Sequence, residues 1–258
     1  MDLRGAVVVV TGASSGIGEM TALRFARAGS RVVLAARRIE RLEALAEHIG
    51  TRGGTALPVR CDVTDGADIA GLLGRTLETF RRCDVLVNNA GIPGGGRFSD
   101  VTVERIERVV RVDLLGVMLV TKAFLPSMVE RGTGHIVNVA SLAGRFAAPG
   151  LAVYGAAKHG VVAFSEALSY ELKPLGVLVT VVNPGFAVTE GFPQHDLPRA
   201  VVMSADRVGR TIVDVVRRDR APEISVPRGL AALQAFRVLI PPLYRWGVER
   251  VTRRRARR

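Results

Sequence analysis

Short apolar runs rich in valine and isoleucine recur along the chain and alternate with longer stretches in which apolar residues follow a helical spacing. The first run, Ala6-Val7-Val8-Val9-Val10, is apolar at every position, as expected of a central strand that is buried on both faces. Alternating strands and helices favour a parallel sheet covered on both faces. We therefore predict one α/β domain with a doubly wound sheet of seven strands, at about 6–11, 31–36, 55–60, 84–88, 134–140, 177–183 and 222–226.

The size and composition of the chain suit one large domain. It has 258 residues, of which 48% are hydrophobic, which is enough apolar material for a single extended core. No apolar run approaches the roughly 20 residues of a membrane-spanning helix, so we expect neither a signal peptide nor a transmembrane helix. The two cysteines, Cys61 and Cys83, match no metal-ligand spacing and are expected to be reduced. These features predict a cytoplasmic protein without a bound metal.

The net charge of +12 raises the question of a nucleic-acid partner, and its distribution argues against one. Residues 245–258 contain seven arginines and one glutamate, a net +6, so the other 244 residues share the remaining +6. No recognition motif, zinc-ligand spacing or interleaving of aromatic and basic residues accompanies this charge. We predict no nucleic-acid partner.

A glycine-rich turn follows the first strand directly and leads into a helical pattern. It reads Thr11-Gly12-Ala13-Ser14-Ser15-Gly16-Ile17-Gly18. Glycines allow a tight turn and a close approach of the backbone to a phosphate, while a helix N-terminus offers amide donors and a positive dipole end. A glycine turn without a ligand is the alternative, but the order of strand, turn and helix favours a pyrophosphate site.

Tyr154 and Lys158 are four residues apart, which places a phenol and an ammonium group on one face of a helix. Both residue types are scarce, since the chain has three tyrosines and only three lysines among its 36 basic residues. A phenol beside a fixed cation is a candidate proton donor. Taken alone, the pair is weak evidence, and a surface lysine lying over an exposed tyrosine is the more common explanation of this spacing.

Together with this pair and the glycine turn, four further segments make the chain resemble the short-chain dehydrogenase/reductase family over residues 5 to about 226. They are Asp62 in Cys61-Asp62-Val63, the run Asn88-Asn89-Ala90-Gly91, Ser141 thirteen residues before Tyr154, and Asn183-Pro184-Gly185 with Thr189. The resemblance implies a Rossmann-like fold with strand order 3-2-1-4-5-6-7 and a catalytic domain over residues 1–227. It also implies a nicotinamide-dependent oxidoreductase that forms dimers or tetramers through helices near 103–131 and 152–173.

The resemblance also implies a set of cofactor contacts, residue by residue. Asp62 and Val63 would meet the adenine, and Asn89 would steady the central strand, with Ala90 and Gly91 near the cofactor. Thr189, with the backbone at Pro184 and Gly185, would hold the nicotinamide carboxamide. Lys158 beside Tyr154 would bind the nicotinamide ribose. The pyrophosphate turn would comprise Gly12, Ser14, Ser15, Gly16, Ile17 and Gly18.

Charge at the end of the second strand bears on the form of the cofactor. NAD preference usually requires an acidic residue there, about 20 residues beyond the glycines, to bind the ribose 2′-hydroxyl. This chain instead reads Leu34-Ala35-Ala36-Arg37-Arg38, and two guanidinium groups suit a 2′-phosphate. We predict NADP(H) rather than NAD(H), with Arg37 as the leading contact and Arg38 beside it. The alternative is that both arginines merely flank the helix that begins near Ile39.

The proposed proton donor requires a shifted pKa. A free tyrosine has a pKa of about 10, so proton transfer near neutrality needs a shift of roughly three units, or about 4 kcal/mol. A unit positive charge about 4 Å away, at an effective dielectric constant near 20, supplies about that much. Lys158 is therefore predicted to lower the pKa of Tyr154. Ser141, at the end of the fifth strand, is predicted to orient the substrate oxygen, and no Gly-x-Ser-x-Gly segment surrounds it to suggest a hydrolase.

One position departs from the family pattern. Where relatives commonly carry asparagine in an Asn-x-x-Gly segment, this chain reads Asp113-Leu114-Leu115-Gly116. In the family that residue holds a helix irregularity, and its carbonyl positions a water in a proton relay to the lysine. A carboxylate at this position could stabilise the charge of Lys158 or disturb the relay, so Asp113 is a fourth catalytic candidate.

Two segments near the end of the chain vary within the family or lie beyond it. Residues from about 190 to 203 occupy the place of a substrate lid, and apolar Phe146, Leu151, Phe186 and Phe192 suggest a hydrophobic carbonyl or alcohol, although core packing explains them too. Residues 228–258 form a C-terminal extension with apolar residues at helical spacing and an arginine-rich tail. The extension either packs on the domain or a partner subunit, or binds an anionic membrane surface.

These features predict an NADP(H)-dependent oxidoreductase that interconverts a carbonyl and an alcohol, with Tyr154 as general acid/base. A catalytically silent nucleotide-binding sensor or scaffold of the same fold is the alternative, and Asp113 is the residue that leaves it open.

Overall fold

The computed structural model describes residues 1–190, 202–219, 222–227, 229, 237 and 239–244. Its seven main strands are β1 (Val7–Thr11), β2 (Arg31–Ala36), β3 (Thr55–Arg60), β4 (Val85–Asn88), β5 (Gly134–Val139), β6 (Val177–Pro184) and β9 (Glu223–Val226). They form one parallel sheet in the order β3-β2-β1-β4-β5-β6-β9. This confirms the predicted fold and strand order, and each predicted strand end differs by at most one residue.

The helices connect these strands and lie on both faces of the sheet. They are α1 (Gly16–Arg27), α2 (Ile39–Gly50), α3 (Gly66–Phe80), α4 (Val103–Val110), α5 (Gly116–Arg131), α6 (Ala152–Leu172) and α7 (Ala205–Arg217). Polar side chains cap several of them: Asp65 accepts from the Ala67 and Asp68 amides at the start of α3, and Ser204 accepts from the Arg207 amide at the start of α7.

The core has two layers, because successive residues of each strand point to opposite faces. Val8 and Val10 of β1 pack with α1, α2 and α7, where Phe25, Leu42 and Ile212 are fully buried. Val7 and Val9 face α3 and α5, where Leu72 and Phe124 are fully buried. Burial on both faces explains why the first predicted strand has no polar position.

A five-residue π-helical turn, Arg111–Leu115, joins α4 to α5 in one continuous helix. By length and composition this helix is apolar enough to cross a membrane, with an 18-residue window of mean hydropathy 1.6. The expectation that no such stretch exists overlooked it, because Asp113 and Lys122 interrupt its apolar run. Phe124 and Met128 of α5 are fully buried against the sheet, so the helix is part of the folded core.

The last part of the described chain contains features that the sequence pattern did not predict. Strands β7 (Phe186–Val188) and β8 (Val202–Ser204) pair in a small second sheet, and each is too short for its pattern to stand out. The predicted lid lies largely outside the described residues, as does most of the C-terminal extension. Within the described part of the extension, the ring of Tyr244 packs 6.2 Å from that of Phe146.

Candidate active site

A cleft of about 430 Å³ opens at the carboxyl edge of the parallel sheet, beyond the ends of β1, β4 and β5. This is where ligands bind in open α/β sheets, because the strand order reverses there. The predicted residues that line it are Gly12, Ser14, Ser15, Gly16, Ile17, Arg37, Arg38, Asp62, Val63, Asn89, Ala90, Gly91, Asp113, Tyr154, Lys158 and Thr189.

The glycine turn packs too tightly for side chains. Gly12 has a φ of +66°, and a Cβ atom on Gly18 would lie 2.2 Å from the Gly12 carbonyl oxygen. Gly16 begins α1, and the side chain of Ser15 makes no capping hydrogen bond to the amides of its first turn. These amides therefore remain available to an anion in the cleft. The geometry fits a pyrophosphate.

Thr11 and Asn89 hold the turn against β4. The Thr11 hydroxyl accepts from the amides of Asn89 and Ala90 at 3.0 and 3.1 Å, and the Asn89 side chain donates to the Thr11 carbonyl at 3.0 Å. Asn89 thus steadies the central strands, as the resemblance implied. Thr11 is a positioning residue that sequence reasoning did not select, although it opens the glycine motif.

Asp62 follows β3 and lines the cleft. It accepts hydrogen bonds from the amide and hydroxyl of Thr64 at 2.9 and 2.8 Å, and the Arg37 guanidinium is 3.9 Å away. Partial burial opposes its charge, but the Thr64 hydrogen bonds and the nearby arginines outweigh this and hold the pKa of Asp62 below its usual value. Asp62 is therefore a fixed anion that can accept a hydrogen bond from a ligand.

Arg38 reaches from the end of β2 to the glycine turn. Its guanidinium donates to the hydroxyls of Ser14 and Ser15 at 3.0 and 2.9 Å, and to Glu190 at 2.9 Å. Arg41 donates to the other carboxylate oxygen of Glu190 at 2.5 Å. Two arginines thus converge on one carboxylate at the mouth of the cleft. Sequence reasoning missed Glu190 and Arg41, whose contact with each other spans 149 residues of the chain.

Tyr154 and Lys158 are buried in the first two turns of α6, which excludes the interpretation as a surface pair. The Lys158 ammonium lies 5.7 Å from the centroid of the Tyr154 ring and donates to the Val139 carbonyl at 3.2 Å. Ser141 follows β5 and hydrogen-bonds to the Tyr154 side chain, while its hydroxyl accepts from the Ala143 amide at 3.1 Å. The three predicted side chains therefore meet at one end of the cleft.

Asp113 is the fourth member of this group. It lies in the π-helical turn and is fully buried, with one carboxylate oxygen 3.1 Å from the Lys158 ammonium. The other oxygen accepts from the Ile92 amide at 3.1 Å. Burial acts to lower the pKa of Lys158, but the carboxylate of Asp113 raises it by more, so the net shift is upward. Lys158 therefore carries a positive charge at neutral pH.

The pKa of Tyr154 differs in direction from the sequence-based prediction. Burial raises it, and although the charge of Lys158 acts to lower it, the carboxylate of Asp113 raises it further, so the net shift is upward. The prediction of a lowered pKa counted the lysine alone. Neither the burial of the phenol nor the opposing carboxylate could be read from the spacing of Tyr154 and Lys158.

Four predicted site residues do not line the cleft itself. Gly18 lies behind the turn against Gly12, and Ser141 reaches the site through Tyr154. Pro184 ends β6, and the Gly185 amide donates to the Val226 carbonyl at 2.8 Å, so both serve the sheet edge in this structure. The expected contact of Pro184 and Gly185 with the cofactor stays a prediction, since both lie at the carboxyl end of β6, at the same edge of the parallel sheet as the cleft.

The two cysteines and the histidines His135 and His159 are held within the fold. Cys61 and Cys83 are free and buried, and burial raises the pKa of the Cys61 thiol to about 12, so it stays protonated. His135 is buried and bonds to the Thr180 hydroxyl at 2.9 Å, while His159 bonds to the Gly155 carbonyl at 2.8 Å. Both rings hydrogen-bond within the protein and do not line the cleft.

Comparison with known proteins shows which proteins the chain is similar to in sequence. A family model described as short chain dehydrogenase matches residues 6–197. "Dehydrogenase/reductase SDR family member 7B" of Mus musculus is 37% identical over 261 residues, which cover 92% of this chain and 81% of that protein.

Solved structures give the same result for the fold. A short chain dehydrogenase/reductase from Burkholderia phymatum in complex with NAD has a TM-score of 0.84 and 27% identity, covering 95% of this chain and 96% of that one. A single-residue variant of the actinorhodin polyketide ketoreductase, solved with NADPH, has a TM-score of 0.80 and 33% identity, covering 88% and 97%. The similarity therefore extends over nearly the whole sheet and the cleft at its edge.

Proposed function

The chain belongs to the short-chain dehydrogenase/reductase family, and from this premise we propose that it interconverts a hydrophobic ketone or aldehyde and its alcohol with NADP(H). Members of the family are oxidoreductases that act on CH–OH and C=O groups. The observation that carries the proposal is the meeting of Ser141, Tyr154 and Lys158 at the end of a cleft that begins at the glycine turn. A nicotinamide cofactor, which the family uses, supplies or accepts the hydride when it is bound.

Side chains of the protein bind the substrate oxygen and transfer a proton to or from it. The Ser141 hydroxyl donates a hydrogen bond to the substrate oxygen and stabilises the charge that develops there. Tyr154 gives its phenolic proton to that oxygen in reduction and takes it back in oxidation. Lys158 stabilises the phenolate that remains, because its ammonium is close to the ring and held in the charged form. Val139 fixes its position through the 3.2 Å hydrogen bond.

The preference for NADP(H) rests on charge at the end of β2. The residues directly after that strand are Arg37 and Arg38 and not a carboxylate; both line the cleft, and Arg41 lies about one turn further along α2. A 2′-phosphate carries nearly two negative charges and matches such a cluster. The Arg37 guanidinium lies 3.9 Å from Asp62 and its side chain is 56% exposed, so it stands at the mouth of the cleft, where a phosphate can reach it.

Apolar side chains at the substrate end support a hydrophobic carbonyl compound. Phe146 and Leu151 belong to the segment between Ser141 and α6, and Phe186 is exposed in β7. Phe192 lies outside the described residues. The ketoreductase among the solved relatives acts on a polyketide, which is consistent with this substrate class.

The experiment that tests the proposal follows oxidation of NADPH and of NADH against a panel of hydrophobic ketones and aldehydes. Tyr154→Phe is expected to lower the rate by about 10²–10⁴-fold, because it removes the proton donor and leaves the fold in place. Tyr170→Phe, on the exposed far end of α6, is the matched control and should keep the activity. Equal inactivity of the wild type and Tyr154→Phe across the panel would instead support the silent sensor or scaffold.

Assembly and location are part of the proposal. The continuous helix 103–131 exposes Val110, Leu115 and Leu119, a face suited to a second subunit, so we expect a dimer or tetramer in sedimentation velocity. The free cysteines support a cytoplasmic location. A purely monomeric protein at all concentrations would contradict the assembly.

The C-terminal extension is the second candidate interaction surface. The contact of Tyr244 with Phe146 supports packing on the protein's own domain, while Leu239, Ile240 and Leu243 remain exposed and are followed by the arginine-rich tail. Exposed apolar side chains beside cationic ones suit an anionic membrane surface. Flotation with anionic vesicles, with and without residues 228–258, tests this. Equal partitioning of the two proteins would remove the membrane proposal.

A further inference from the structure

The carboxylate of Asp113 has a fixed place beside Lys158. The π-helical turn carries it inward, the Ile92 amide holds one oxygen at 3.1 Å, and the other oxygen lies 3.1 Å from the ammonium. Gly91 allows this approach, since a Cβ atom there would lie 2.7 Å from the carboxylate and 3.5 Å from the ammonium. The chain thus leaves space for an ion pair between two fully or almost fully buried groups.

A buried ion pair acts on its surroundings differently from a lone cation. The negative charge of Asp113 offsets the positive charge of Lys158, so the field that the pair exerts on the neighbouring phenol is weaker than that of the ammonium alone. The directions of the pKa contributions at Tyr154 agree with this, because Lys158 acts to lower it and Asp113 to raise it.

We infer that Asp113 is a positioning residue that keeps the Tyr154 phenol protonated by offsetting the charge of Lys158, and that it thereby raises the kcat of carbonyl reduction relative to the kcat of alcohol oxidation at neutral pH. Reduction requires a neutral phenol that can give its proton, whereas oxidation requires a phenolate that can take one. This inference rests on the proposed function and adds the direction in which the site works best at neutral pH.

The other ionisable groups at this end of α6 are engaged elsewhere. Arg145 pairs with Glu223, and His159 bonds to the Gly155 carbonyl. The α4 residues that pack near the site, Ile106 and Val109, are apolar. Among the residues that the structure describes, Lys158 and Asp113 are therefore the charges that set the titration of Tyr154, with the Ser141 hydroxyl as a hydrogen-bonding partner.

The direct test is a spectroscopic titration of Tyr154. The chain has only three tyrosines, so the ultraviolet tyrosinate signal of each protein minus that of its Tyr154→Phe counterpart isolates this residue. In Asp113→Asn the midpoint should fall by about one pH unit or more, because one negative charge near the phenol is removed. Asp206→Asn, which removes a carboxylate paired with Arg24 on α1, should leave the midpoint unchanged.

Activity provides the second readout. In Asp113→Asn the alkaline limb of carbonyl reduction should move to lower pH by the same amount. With saturating substrate and cofactor, the kcat of alcohol oxidation at neutral pH should rise severalfold relative to the kcat of reduction. Asp113→Ala separates charge from hydrogen bonding: if charge is what matters, both variants shift the midpoint downward. A shift in Asp113→Ala alone would mean that the hydrogen bond matters and would overturn the inference.

An unchanged or raised midpoint of the Tyr154 titration in Asp113→Asn would also overturn the inference. The same holds if the midpoint fails to fall because Lys158 loses its proton in that variant. The proposed function fails by a different result, namely an activity that survives Tyr154→Phe. Thermal melting of each variant establishes that the titrated protein is folded.

Discussion

The guanidinium of Arg38 donates to the carboxylate of Glu190 at 2.9 Å while also bonding to the Ser14 and Ser15 hydroxyls of the glycine turn. Glu190 accepts from Arg41 as well, and these two arginines hold the pKa of its carboxyl below its usual value. The carboxylate of Glu190 thus lies where we propose that the 2′-phosphate of the cofactor binds. The two anions would compete for the same arginine.

Replacing Glu190 should therefore strengthen binding of the phosphorylated cofactor. Glu190→Gln is expected to tighten NADPH binding by about two- to fivefold, an effect that is small because the pair is exposed to solvent. NADH affinity should not change. Fluorescence titration of both cofactors measures this, with Glu171→Gln on α6 as a control for loss of one negative charge. Weaker NADPH binding in Glu190→Gln would show that the carboxylate supports the cofactor site.

Replacing Arg37 tests the cofactor preference itself. Arg37→Ala is expected to weaken NADPH binding by about tenfold or more, the loss typical of a charge-assisted hydrogen bond, and to leave NADH binding nearly unchanged. Arg27→Ala, an exposed arginine at the end of α1, is the matched control. If Arg37→Ala weakens the binding of NADPH and NADH equally, Arg37 supports the structure of the cleft and does not contact the 2′-phosphate. The argument for NADP(H) then loses its leading contact.

The glycine turn allows a paired test of stability. A Cβ atom on Gly18 would lie 2.2 Å from the Gly12 carbonyl and 2.5 Å from the Asn89 side chain, so Gly18→Ala should cost about 1–3 kcal/mol of unfolding free energy and abolish cofactor binding. Gly71 is exposed inside α3 with no atom near such a Cβ. Gly71→Ala should raise the stability by about 0.5–1 kcal/mol. Urea unfolding measures both, and equal effects would refute the packing explanation.

Stability should decrease as the pH falls, because of His135. Burial lowers its pKa to about 4 in the fold, whereas the unfolded chain titrates near 6.5. Below about pH 6.5 the unfolded state therefore binds the extra proton, and stability decreases until about pH 4, by about 2 kcal/mol at pH 5. Urea unfolding at several pH values should give a shallower slope for His135→Gln than for the wild type. His48→Gln, at an exposed site on α2, is the matched control variant.

The sequence predicted the sheet and much of the cleft because both depend on local patterns. Valine-rich runs mark the strands, and the glycine turn and the Tyr154–Lys158 spacing each lie within a few residues of chain. The contacts that tune the site are long-range. The family resemblance, and not a local pattern, related Asp113 to Lys158, which lies 45 residues further along the chain, and Glu190 meets Arg38 across 152 residues. No spacing rule predicts such contacts.

Burial was the other quantity that the pattern could not supply. The direction of the Tyr154 pKa follows from removal of the phenol from water, and this depends on how α6 packs beside β5 and the π-helical turn. Likewise, Pro184 and Gly185 sit in a recognisable motif, yet pairing with β9 decides where their backbone points.

The π-helical turn at 111–115 separates two packing registers in one helix. Before it, Val109 packs beside Val153 and Ala157 of α6, and after it Phe124 and Met128 pack on the sheet. Deletion of one residue from the turn would rotate one segment by about 100° relative to the other, so changes in length are poorly tolerated there. Exchange of the side chain at Asp113 leaves both registers intact. During divergence from a common ancestor, this position can therefore alter the proton chemistry of the site by a single substitution without remodelling of the backbone.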